Sequence, residues 1–258
     1  MWEMYNQLIA GIPEQLTVKR YVSGNFWTVV ESDIGVGVAG TARIVTRPPT
    51  GRFPIAGASL KQVAELAKSW NLVEASIGVA ALNSYYNAPE IAYENGTLFS
   101  EGDDRLNDPY IAYRNFARGK RVACLGHDST PIDSLLKDVA EVAMFGEQTG
   151  AYPLSAVDYL LPEYDLVYLP CYSEVIKTLP HYLQLTKDHV AVICGPSITM
   201  SPVLFQYGAF DMAGLVITDP ETAFDSACGT GIKKMFAAGK KASLRRADID
   251  SLRRMGNI

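Results

Sequence analysis

Hydrophobic positions change their spacing once along this chain, and the change divides it. Before residue 86 the apolar runs are of mixed kind. Leu16 to Val22, Phe26 to Glu31 and Ile34 to Ala39 are rich in β-branched and aromatic residues and are separated by Ser23-Gly24-Asn25 and Ser32-Asp33, so they predict an antiparallel meander. Ser59, with Gln62 three residues later, reads as a capping box that opens a helix on Leu60, Val63, Ala64, Ala67 and Trp70. From Val73 to Tyr85 the residues are apolar almost all round, which predicts a helix buried between layers. Strands followed by helices without alternation make residues 1–86 a small α+β domain.

The three prolines and two glycines of Arg47 to Gly57 forbid regular structure and leave Arg47 and Arg52 available, a composition suited to a lid. The polar stretch from Asn87 to Asp108 reads as a linker before a helix over Pro109 to Arg118, so residues 87–118 are the connection. Beyond Lys120 the pattern alternates. Val122-Ala123-Cys124-Leu125, Val142 to Phe145, Leu166 to Leu169, Val190 to Cys194 and Leu215 to Thr218 predict strands buried on both faces. Pro131 to Val139, Ala156 to Leu161, Val175 to Leu185, Pro202 to Tyr207 and Thr222 to Phe236 predict the helices between them. Residues 119–258 are therefore expected to form a Rossmann-like α/β domain on a parallel sheet, with Lys240, Lys241, Arg245, Arg246, Arg253 and Arg254 on a solvated helix face.

At 258 residues, 48% hydrophobic and 20% charged, the chain has the composition of a folded protein and not of a disordered or fibrous one. Its net charge of -5 provides no field to gather nucleic acid or an anionic membrane, which leaves a small molecule or a metal ion as the expected partner. Neither a run of about 18 apolar residues nor a signal-like start occurs, so a cytoplasmic location is expected. Cys124, Cys171, Cys194 and Cys228 are too widely spaced for a zinc ribbon and read as free thiols.

In an open parallel sheet ligands bind beyond the carboxyl ends of the strands. The loops there carry Gly126-His127-Asp128-Ser129-Thr130, Gly146-Glu147, Pro170-Cys171-Tyr172-Ser173, Gly195-Pro196-Ser197-Ile198-Thr199 and Asp219-Pro220. Gly126 lacks the later glycines of a dinucleotide fingerprint, although Glu147 lies about where a ribose-binding acid would. His127 is a ligand or proton-carrier candidate, with a structural role equally compatible. Cys171 closes a strand and is either a thiolate facing a ligand or a packed thiol, whereas Cys124 and Cys194 sit inside apolar runs and read as core. Gly195-Pro196-Ser197 offers a sharp turn with a hydroxyl at a following helix start, an arrangement that suits an oxyanion or serves simply as a cap. No hydrolase elbow is present.

Gly195-Pro196-Ser197, Gly126-His127 and Val175-Ile176-Lys177-Thr178-Leu179-Pro180, together with Ile77-Gly78-Val79-Ala80-Ala81-Leu82-Asn83 upstream, resemble the prokaryotic family labelled putative heavy-metal chelation proteins. The resemblance spans nearly the whole chain. It implies a small domain similar to the enolase N-terminal fold joined to a Rossmann-like domain, with a site in the cleft between them, and Asn83, His127, Thr178, Gly195, Pro196 and Ser197 as matching positions. The chain departs from the family pattern at Asp128 and near Glu147. Two functions follow as expectations. One is metal binding in that cleft by Cys171, His127 and Glu147, with a transition metal as the bound ion. The other is an enzyme acting on a small anionic metabolite or nucleotide-like ligand, in which His127, Cys171 or Ser197 carries the chemistry and Asn83, Gly126, Asp128, Glu147, Ser173, Thr178, Gly195, Pro196 and Asp219 line the site.

Overall fold

A computed structural model describes residues 2–44, 46–100, 108–126, 136, 138–229 and 231–246. The first domain is built as its sequence pattern predicts. Strands β1 (Val18–Ser23), β2 (Trp27–Ser32) and β3 (Val36–Gly40) pair as an antiparallel meander in the order β1-β2-β3. A short helix α1 (Glu3–Ala10) precedes them. After them come α2 (Leu60–Ala64) and α3 (Leu72–Tyr86). Asn71 caps α3 by accepting from the amides of Val73 and Glu74, both at 3.1 Å. Almost every residue of α3 from Glu74 onward is buried, because one side packs on the meander and the other faces the second domain. Ser59 sits at the start of α2 without a side-chain cap bond, and α2 gives way after five residues to a 3₁₀ turn, Glu65–Lys68. Trp70 therefore falls outside the helix whose apolar face it was expected to join, and it is 59% exposed.

The stretch expected to be a linker carries structure. It contains α4 (Pro89–Glu94) and a two-residue strand β4 (Leu98–Phe99) that joins the large sheet, and α5 (Pro109–Ala112) follows. The five predicted strands are present as β5 (Arg121–Leu125), β6 (Glu141–Phe145), β7 (Leu166–Pro170), β8 (Val190–Cys194) and β9 (Asp211–Ile217), all mutually parallel. Between them run short helices, α6 (Val157–Leu160), α7 (Tyr172–Val175) and α8 (Leu179–Leu185). Pro202–Tyr207 is a 3₁₀ helix, and α9 (Pro220–Cys228) follows β9. The predicted helix over Pro131 to Val139 lies largely outside the described residues.

One assignment is overturned. Lys240, Lys241 and Arg245 do not lie on a helix face: they belong to β10 (Gly239–Arg245), which pairs antiparallel with β9 and with β4. Arg245 is buried, and its Nε donates to the Asp211 carboxylate at 3.1 Å, with both side chains almost wholly withdrawn from solvent. A buried carboxylate needs such a partner, and Asp211 has two more in Tyr113 Oη at 2.9 Å and Ser243 Oγ at 2.7 Å. The sheet is thus β4-β10-β9-β8-β7-β5-β6, parallel except at β10 and β4.

Counted along the chain, the five parallel strands stand in the spatial order 2-1-3-4-5 of a doubly wound fold. The direction of winding reverses between β5 and β7.

Candidate functional site

In doubly wound folds ligands bind beyond the carboxyl ends of the strands at such a reversal, which here lies between β5 and β7. Gly126 leaves β5 with φ +66°, and a side chain there would rest on Pro170 at 3.4 Å. Directly after Pro170 comes Cys171. Its amide donates to Cys194 O at 2.9 Å, and its thiol, buried beside β8, accepts from Ser197 Oγ at 3.0 Å. Burial pushes the Cys171 thiol above its ordinary value, and the hydroxyl and amide of Ser197 counter that only in part.

The sulfur occupies a notch left by a missing side chain. Gly195 has φ +128°, and a Cβ there would stand 2.3 Å from Cys171 Sγ. Gly195→Ala therefore combines a disfavoured backbone with a clash, and is expected to cost about 2 kcal/mol and to part Ser197 from the thiol. Urea unfolding compared with the unsubstituted chain measures this, and an unchanged midpoint would show that the notch has room to spare.

The segment from Pro196 to Ser201 is buried along its length and locked to α3. Asn83 Nδ2 donates to Val38 O at 2.8 Å and to Ser197 O at 2.9 Å, while its Oδ1 accepts from Thr199 Oγ1 at 2.6 Å. One turn on, Asn87 Nδ2 donates to Ile198 O at 2.9 Å and Asn87 Oδ1 accepts from the Met200 amide at 2.9 Å. Glu174 meets Thr199 twice, through Oε1 with Thr199 Oγ1 at 2.7 Å and through Oε2 with the Thr199 amide at 3.1 Å. Burial pushes this carboxyl up to about 7, with the bond from the Thr199 amide acting in the opposite direction. The amides of Gly195 and Thr199 are thus spent on Ala213 O and Glu174, and that of Ser197 points at the Cys171 sulfur. It is Ser201, not Ser197, that caps the following 3₁₀ helix.

The remaining sequence-predicted residues are dispersed. Ser173 is buried and its Oγ donates to Pro170 O at 2.6 Å, fixing the turn into α7. Thr178 has a buried hydroxyl without a partner among the described residues. Asp219 caps α9, accepting from the Thr222 amide at 3.1 Å and the Thr222 hydroxyl at 2.6 Å. Glu147 is exposed in the turn after β6. At about 4.8 Å per strand, Glu147 and Asp219 follow strands roughly 19 Å apart on one rim of the sheet. His127 and Asp128 lie outside the described residues.

Arg47 to Gly57 is not a free lid. Its Thr50 and Gly51 amides donate to Glu74 Oε1 at 2.8 and 2.7 Å, and Thr50 Oγ1 donates to Oε2 at 2.9 Å, which fastens the strap to the start of α3. Sequence reasoning passed over Glu74, Asn87 and Glu174, and placed Thr199 in a candidate loop without giving it a role. The legible signal was a carboxylate set among apolar neighbours, Ser173-Glu174-Val175, where a surface residue has no reason to stand.

A two-domain α/β protein with a polar seam between α3 and the segment after β8 is the class these features define. Two family profiles, both described as putative heavy-metal chelation, match residues 5–86 and 108–245. The chain belongs to this family, known by the second profile as DUF364. It is similar to a DUF364-family protein of unknown function from Desulfitobacterium hafniense DCB-2, with 38% identity over 95% of this chain and 99% of the other and a TM-score of 0.86. A second DUF364-family protein of unknown function, from Pyrococcus horikoshii, shares the fold at 21% identity, covering 94% and 98% of the two chains with a TM-score of 0.74. No curated protein matches the chain.

The family description raises the question of ligands. Among the described residues no group of three or more His, Cys, Asp or Glu side chains converges as a metal centre. Glu174, the acid nearest Cys171 in the chain, is occupied by Thr199, and Asp211 by Arg245. Nor is any helix of the described residues long and apolar enough to cross a membrane.

Proposed function

We propose that this protein binds a transition-metal ion, as cargo, in the crevice at the carboxyl ends of β5 and β7, with the Cys171 sulfur as its anchoring ligand. The observation that carries this reading is the position of Cys171: the one thiol at the strand-order reversal, seated in the Gly195 notch with a hydroxyl 3.0 Å away. His127 follows Gly126 directly in the chain, and Gly126 is the residue after β5, the strand beside β7. Glu147 ends the next strand beyond it. A soft, a borderline and a hard donor would then come from three neighbouring strand ends. The small domain reaches the same rim, since Gly40 at the end of β3 lies against the Tyr172 ring. The family description, heavy-metal chelation, agrees with this chemistry.

Because the thiol is held protonated, a metal entering the crevice must displace its proton to a base or to water. Ser197 then offers a hydrogen bond to the thiolate that replaces it. Uptake is accordingly expected to tighten about tenfold per pH unit between pH 6 and 8. Titration with Zn²⁺ and Cu⁺ after chelator treatment, followed by elemental analysis, should give about one equivalent per chain and a large loss in Cys171→Ser. Less than about a tenth of an equivalent in the unsubstituted protein, or full retention in the variant, rules the reading out. The anionic-metabolite reading has less support, because the Gly195 to Thr199 amides that would receive the anion are already engaged.

A further inference from the structure

The strap that Glu74 fastens arches over a groove of about 700 Å³ on the small domain, within the usual size of a ligand pocket. Its rim is rigid for reasons unconnected with the crevice. Beyond the three bonds already given, Ser69 Oγ donates to Glu74 Oε2 at 2.6 Å, Asn71 Nδ2 donates to Arg47 O at 2.6 Å, and Thr46 Oγ1 donates to Trp70 O at 2.5 Å. A carboxylate holding four donors pins an irregular loop in one shape, and its pKa lies below the ordinary value as those bonds require.

Most polar groups facing the groove are already engaged. Lys68 pairs with Glu65 at 2.7 Å and donates to Asn6 at 2.8 Å, while Ser69, Asn71 and Thr50 serve the strap. Among the described residues the Arg47 guanidinium makes no hydrogen bond or ion pair. Trp70 is the large apolar group on offer. Its indole is held in place by Trp2, with ring centroids 5.7 Å apart at 66°, and by the Lys177 ammonium 5.7 Å from the ring centre, yet more than half of the residue is exposed. An aromatic side chain fixed in orientation and left uncovered, beside Phe53, Pro49 and an unpaired guanidinium, has the makings of a recognition platform.

We infer that this groove is a second ligand site, distinct from the crevice, and that it takes a planar aromatic anion whose ring lies on Trp70 and whose charge meets Arg47. The uncovered indole face suits a planar ring, and a guanidinium suits a phosphate or carboxylate through paired N–H donors. Neutral aromatics should bind more weakly than their anionic counterparts. Inorganic phosphate alone should not bind, having no ring to place.

The test uses the full-length protein with flavin mononucleotide, AMP, adenosine and inorganic phosphate as probes, followed by isothermal titration and by tryptophan and flavin fluorescence. Saturable binding of the two mononucleotides is expected. Trp70→Leu should weaken it about tenfold, as removal of a ring–aromatic stack does elsewhere. Since Trp70 is exposed, this variant should fold. Arg47→Gln should erase the preference for AMP over adenosine while Arg47→Lys keeps part of it. No saturable binding of either mononucleotide up to about 1 mM, a Kd unchanged in Trp70→Leu, or phosphate binding as well as AMP would each overturn the assignment. Metal uptake plays no part in these measurements, so their outcome is independent of the crevice.

Discussion

Asn83→Ala is expected to lower the free energy of unfolding by about 4 kcal/mol, more than any exposed substitution in the chain. The amide ties α3 to two segments that the sequence places far away: β3 through Val38 O, and the post-β8 loop through Ser197 O and the Thr199 hydroxyl. Truncation leaves two carbonyls buried without their partner, each at about 1–3 kcal/mol, takes one of two partners from the Thr199 hydroxyl, and opens a small void in a helix that is buried nearly throughout. Water entering the void would restore part of this, which is why the expected loss stays below the simple total. Chemical unfolding followed by far-ultraviolet and tryptophan signals checks the magnitude. The same experiment asks whether the two domains still unfold together, since Asn83 and Asn87 supply the seam's amide contacts. A loss under about 1 kcal/mol would mean that the seam is held chiefly by apolar packing.

The seam was only half legible in the sequence, and the half that was missed has a physical reason. Five short apolar runs could be read as strands because a parallel strand is covered on both faces, so its residues need not alternate. The same reasoning fails for β10. Gly239-Lys240-Lys241 is polar and Ala242-Ser243-Leu244 is buried, so the strand has neither period, and its membership of the sheet is decided by pairing with β9 and by the Arg245–Asp211 contact 34 residues apart. Ser59 carried the capping signature without forming the bond, because its backbone was instead drawn into a bridge with Thr17. Asn83 was visible through a family resemblance. Glu174 and the role of Thr199 were not, since neither residue forms a motif and their meaning lies in a contact across 25 residues. Cys171 and Ser197 were singled out separately, and the fold brings them to 3.0 Å.

Glu174→Gln is expected to abolish a pH dependence of stability that the unsubstituted protein shows between about pH 4.5 and 7, a change of roughly 3 kcal/mol. Thr199 Oγ1 carries one proton, yet it lies 2.6 Å from Asn83 Oδ1 and 2.7 Å from Glu174 Oε1. Asn83 cannot be turned round, because both protons of its Nδ2 are given to carbonyls. Thr199 must therefore donate to Asn83 and accept from Glu174, which requires the neutral carboxylic acid. Among the described residues no cation bonds the Glu174 carboxyl: Tyr5 Oη donates to its backbone carbonyl at 2.6 Å, and burial dominates the carboxyl's shift. The folded state thus binds this proton more tightly than the unfolded chain does. Its contribution is fully present below pH 4.5, declines as the pH rises through the interval, and is gone above about pH 7. Glutamine keeps the shape and both roles, donating to Thr199 Oγ1 through its amide nitrogen and accepting from the Thr199 amide through its oxygen, with nothing to ionise. Variant and unsubstituted protein should be equally stable near pH 5 and separate in the variant's favour by pH 8. Thr199→Val should instead destabilise at every pH, since it removes the acceptor and strands Asn83. Parallel urea melts across this range decide the matter: a difference between Glu174→Gln and the unsubstituted chain that stays constant with pH means the carboxyl is already ionised in the fold, and the chain of donors from Glu174 through Thr199 to Asn83 runs some other way.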